Sequence, residues 1–150
     1  MQSTLRALAV SIALVMMFGC GVDLSKPLPE PVTLNPDDYR PEITDIDRLL
    51  FSPKPYDDAR RSQVAATLEG LASRITAGSE SRFLKMEASE IKILASLAKH
   101  TFASDPRDHL QENWMRIRKN LFEGRQPSRN RMLYLQRVMH SSERNSECIH

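Results

Sequence analysis

A chain of 150 residues, 41% hydrophobic and 27% charged, suits one globular domain of ordinary size and excludes a disordered polymer. Its formal charge of +2 supplies no global pull toward nucleic acid, so no nucleic-acid partner is expected. The charge is uneven, however. Between Trp114 and Arg144 eight basic residues (Arg116, Arg118, Lys119, Arg125, Arg129, Arg131, Arg137, Arg144) meet only Glu123 and Glu143, whereas from Cys20 to Arg60 nine acids oppose five bases. The two ends either complement one another or are simply solvated. The sharper alternative is a basic face for anionic lipid headgroups or an acidic partner.

Met1 to Arg6 is short, polar and carries one positive charge, and Ala7 to Phe18 is apolar except for Ser11. As a helix this run is about 18 Å long, short of the ~30 Å hydrocarbon core, so it suits a signal-peptide core better than a permanent span. Met17-Phe18-Gly19-Cys20 follows and resembles the lipobox of bacterial lipoproteins. Gly19 and Cys20 match that pattern and Met17 replaces its leucine, while Phe18 stands where the family carries a small residue. The resemblance implies a signal peptide over 1–19, a diacylglycerol on the Cys20 sulfur, and cleavage before Cys20. Each buried lipid methylene would add about 0.8 kcal/mol of membrane affinity. Gly21, rather than aspartate, after the cysteine favours the outer membrane, with the domain facing the periplasm or exterior. The alternative is ordinary secretion, with cleavage after Gly21.

Pro27, Pro29, Pro31, Pro36 and Pro41 fall in the next segment. Proline fixes φ and biases the residue before it to extended backbone, so 20–42 is expected to be a polyproline-like tether that lifts the domain off the bilayer. A short helix around Ile46, Leu49 and Leu50 is expected behind Thr44, ending at Ser52-Pro53. Asp57 can cap the next helix, whose stripe is Val64, Leu68, Leu71, Ala72 and Ile75 and whose natural stop is Gly78.

The helix expected from Ser79 to Ala103 has two stripes. Leu84, Ile91, Leu94, Ala95, Ala98 and Phe102 form one; Phe83, Met86, Ile93 and Leu97 form the other, which makes it the most buried. Asp105-Pro106 reads as cap and N1 of a helix bearing Leu110, Trp114, Ile117 and Leu121 and stopped by Gly124. Pro127-Ser128 opens the last, with Met132, Leu135, Val138 and Met139 inward. No period-2 run suggests a strand. The expected fold is all-α: a small antiparallel four-helix bundle over 43–146, with 147–150 as a tail.

The stretch from Asp105-Pro106 through Trp114 to Leu121, with Leu135 to Ser142, resembles the cytochrome c-prime-like four-helix bundles. In that family the last helix carries Cys-x-x-Cys-His. Here Ser142-Glu143-Arg144-Asn145-Ser146 stands at that point, so covalent haem is excluded and no cofactor is expected. The resemblance leaves open a ligand- or metal-binding bundle that has lost its haem.

His100, His109, His140 and His150 form no i,i+3 or i,i+4 pair. His140, Cys148 and His150 are the candidate copper or zinc ligands, set against a frayed terminus as the plainer reading. No nucleophile elbow, zinc-protease motif or phosphate-binding glycine loop occurs. Glu87 and Glu90 share a helix face and read as a solvated pair, so no enzyme is expected. Trp114, Met86, Met115, Met132 and Met139 read as core. If Cys20 is lipidated, Cys148 is the remaining thiol and could link two copies by a disulfide. The sequence thus points to a non-catalytic envelope lipoprotein with a helical interaction domain, its partner an unnamed envelope protein or an anionic surface.

Overall fold

The computed structural model describes residues 27–100 and 105–147, with side chains as far as residue 139. It is an all-α helical bundle. One 3-10 turn (Pro36–Tyr39) precedes five helices: α1 (Arg40–Phe51), α2 (Asp58–Gly78), α3 (Arg82–Lys99), α4 (Arg107–Glu123) and α5 (Arg129–Glu147). No strand occurs among the described residues.

Local chemistry sets the ends of these helices. Pro36 opens the 3-10 turn and Pro41 lies in the first turn of α1, positions where a missing N–H costs no intrahelical bond. These two prolines therefore start helices instead of prolonging the extended segment. Asp57 caps α2 by accepting the Arg60 N–H at 2.8 Å, and Ser81 caps α3. Gly78 is the last residue of α2 and the chain then turns extended at Ser79, so the glycine is not the left-handed stop its type suggests. Gly124 is that stop for α4, at φ +70°, with its N–H bonded to the Lys119 carbonyl. At the other end of α4 Pro106 takes the cap position itself, and Asp105 accepts the Arg107 N–H at 3.0 Å.

Helix α3 is the central element. It packs along α2 as an antiparallel pair and also receives α4 and α5, while α1 lies across α2 and touches α4. Consecutive helices α4 and α5 pack on α3 more than on each other. Ten of the eighteen residues of α3 are buried, in line with its two apolar stripes, although Leu97 of the second stripe is 40% exposed. Helix α1 belongs to the core: Ile43, Ile46, Leu49 and Leu50 join Leu68, Leu71, Phe83, Ile91, Trp114 and Leu135 in one apolar cluster. Five helices, not four, therefore bury it.

The proline-rich segment is laid against the domain from Pro27 onward. Leu28 and Leu34 pack on the core, and the Leu34 N–H donates to the Leu121 carbonyl at 2.8 Å. Partly burying two leucines helps to offset the entropy of ordering this stretch, which a solvated spacer would not gain.

Candidate functional site

The polar side chains that the fold buries most deeply gather between α3, α4 and α5. Glu87 and Glu90 are one helical turn apart on α3, and both face inward at 0% and 2% exposure. This corrects their reading as a solvated pair. Helix α4 brings Arg116, Asn113 and Asn120, at i, i−3 and i+4, to the same side, and α5 brings Arg131. Glu90 Oε1 accepts from the guanidinium groups of both Arg116 and Arg131, and Arg116 also donates to Asn113 Oδ1 at 3.0 Å. The Asn120 amide reaches both oxygens of Glu87 at 3.4 Å.

One carboxylate between two guanidinium groups is well matched; the second is not. Burial, and then the neighbouring charge of Glu90, push Glu87 up to about 7, against the smaller opposing pull of Asn120, Arg116 and Arg131. Glu90 Oε2 and Arg131 Nε are buried without a partner among the described residues.

The folded state holds the Glu87 proton more tightly than the unfolded chain does. The group's contribution to stability is therefore fullest at acid pH, and it is lost as pH rises from the ordinary glutamate range through 7. Glu87→Gln, which keeps the neutral form, is expected to raise the free energy of unfolding at pH 8 by up to about 3 kcal/mol and to change it little at pH 4.5. Urea melts at the two pH values check this; equal effects at both would mean that Glu87 is not protonated by burial.

Beside this cluster the surface opens into a cleft of about 500 Å³ between α4, the turn after it and the start of α5. Arg116, Arg125 and Arg131 line it, with Asn120, Gln126 and Ser128. A second lobe of about 470 Å³ shares Arg116 and Arg125 and adds Lys119 and Glu112. The lining contains no histidine or cysteine. Such a set of planar donors suits an oxyanion: each guanidinium offers a fork of N–H groups, and Ser128 places the positive end of the α5 dipole at the rim.

Cys20, Cys148 and His150, and the side chain of His140, lie outside the described residues. His100 and His109 are exposed at the end of α3 and the start of α4. No group of three or more metal-ligating side chains forms among the described residues. Met86 and Met132 are core, Met139 is partly buried, and Met115 is 39% exposed, which removes it from the apolar interior. Within the described residues no helix is long and apolar enough to cross a membrane. No protein-family model, curated protein or solved structure matches the chain.

Proposed function

We propose that the chain is a non-catalytic lipoprotein of the bacterial envelope, held by a lipid on Cys20, whose domain binds an anionic group of its partner in the arginine cleft. On this reading α2 to α5 are an antiparallel four-helix body and α1 braces it. The observation that carries the binding function is the convergence of Arg116, Arg125 and Arg131 on one opening. Four of the eight basic residues after Trp114 (Arg116, Lys119, Arg125 and Arg131) line this corner of the domain.

The anchor and the cleft suit each other in position. The segment that begins at Pro27 runs past Gln126 and Pro127, which also line the cleft. Six residues lie between Cys20 and Pro27, and the seven Cα–Cα steps reach at most about 25 Å even when fully extended. A lipid on Cys20 would hold the cleft near the headgroup layer.

Two measurements test this. Cys20→Ser is expected to move the protein from the membrane fraction to a soluble or uncleaved form; a variant that stays membrane-bound and fully processed refutes the anchor. For the cleft, a ligand that binds only the folded state raises the melting temperature with concentration. A panel of phosphate, carboxylate and sulfate compounds should raise that of the detergent-extracted full chain, and Arg125→Glu should abolish the rise. A flat response to every anion removes the binding function.

A further inference from the structure

The chemistry of the cleft goes further than a generic preference for negative charge, on the footing of the anion-binding reading above. We infer that the cleft is built for a phosphate monoester rather than for a carboxylate.

The first argument is charge. Three guanidinium groups face the opening, and the single carboxylate paired with them is Glu90. Two positive charges are left over, or one when Glu87 ionises behind them; Lys119 and Glu112 in the adjoining lobe cancel. A phosphate monoester carries about −1.5 to −2 near neutral pH and matches the surplus. A carboxylate carries one charge and, with Glu87 neutral, leaves a guanidinium uncompensated.

The second argument is donors. The Arg125 side chain is exposed and has no hydrogen-bond or ion-pair partner among the described residues. Arg131 is held in place by Glu90 and by the Tyr134 ring, whose centroid lies 5.0 Å from its guanidinium carbon. Glu90 similarly fixes Arg116. Two arginines are thus oriented by a buried carboxylate while the third stays open, an arrangement that can surround three phosphate oxygens. One bidentate fork would suffice for a carboxylate.

The third argument is room. About 500 Å³ falls within the range of small-molecule sites and is far more than a bare ion fills, so the phosphate should carry an organic body. The same chemistry could come from a soluble phosphomonoester or from the headgroup of a membrane lipid, which the short reach from Cys20 would bring close.

Isothermal titration of the detergent-extracted full chain at pH 6.5, where Glu87 is mostly neutral and a phosphate monoester still carries more than one charge, separates these cases. The probes are glycerol 3-phosphate, dihexanoyl phosphatidate, acetate and succinate. Glycerol 3-phosphate should bind more tightly than either carboxylate. Arg125→Ala should weaken it roughly ten-fold, the scale of one lost charge-assisted hydrogen bond. Arg125 is the residue to change because Arg116 and Arg131 also neutralise buried Glu90, and their loss could unfold the domain. Glu87→Gln should change binding little at pH 6.5 and tighten it at pH 8, where it removes a negative charge behind the cleft. Tighter binding of the acylated phosphate marks a lipid headgroup as the source, and equal binding marks a soluble ester; both support the inference. Carboxylates that match or exceed glycerol 3-phosphate overturn it and leave the anion reading standing. Phosphate binding indifferent to Arg125→Ala overturns it by placing the ligand elsewhere, and binding of no anion at all overturns both.

Discussion

Trp114→Ala is expected to destabilise the domain by about 3–5 kcal/mol, a large share of the 5–15 kcal/mol that holds a domain of this size folded. Trp114 is fully buried where α4 crosses α1 and α3, and it is the largest side chain in the core. Removing the indole leaves a cavity that Ile117, Leu121 and their neighbours on rigid helices cannot close. The indole also has a polar task. Its Nε1–H donates to Asp47 Oδ1 at 2.7 Å, and Asp47 Oδ2 accepts from Arg118 at 2.6 Å, so one aspartate ties α1 to two residues of α4. Trp114→Phe separates the contributions. It keeps most of the apolar volume, and Asp47 remains partly open to solvent and paired with Arg118, so the loss should be about 1–2 kcal/mol. Urea melts followed by circular dichroism measure both, since each variant lacks the chain's one tryptophan. If the two variants lose the same amount, the hydrogen bond and not the packing is what matters.

Features fixed by local chemistry are legible in the sequence; features that join distant residues are not. The Asp57 cap and the Gly124 stop depend on neighbours within a few positions, and they lie where their residue types indicate. The breadth of the apolar surface on α3 is likewise written in its own spacing. Glu87 and Glu90 offer the opposite case. On their helix they look like any exposed acidic pair, because Arg116 and Arg131, which allow Glu90 to be buried, lie 26 and 41 residues further on. The basic excess after Trp114 hinted that such partners exist, but not which acids they meet. The tether was misleading for the same reason. Pro27, Pro29 and Pro31 favour an extended backbone, and extended backbone can lie along a bundle as readily as stand away from it. What decides is the fit of Leu28 and Leu34 on the core. Gly78 shows that residue type alone does not fix a helix stop: the extended backbone of Ser79 ends α2 without a left-handed residue.

Arg60→Met should cost about 2–4 kcal/mol, although Arg60 lies in the first turn of a helix where such changes are usually mild. The last carbonyls of a helix have no intrahelical donor, and α1 ends without a glycine cap. Its carbonyls are served by side chains from other helices. Arg60, only 8% exposed, donates through Nε to the Leu49 carbonyl at 2.6 Å and through Nη2 to that of Ser52 at 3.0 Å. Its Nη1 reaches the carbonyls of Lys54 and Pro55 in the link to α2. Gln111 of α4 takes the Leu50 carbonyl at 2.6 Å, and Arg107 takes that of Lys54 at 3.0 Å. Methionine fills similar space but leaves the Leu49 carbonyl buried and unsatisfied and frees the link. Lysine keeps the charge but lacks the planar fork, so Arg60→Lys should recover less than half of the loss. Hydrogen exchange gives the sharper check. Amides of α1 should lose protection in Arg60→Met before those of α3 do, because α1 loses its terminus while the α2–α3 pair keeps its packing. Uniform loss across all five helices would mean that the arginine supports the whole core and not the end of α1.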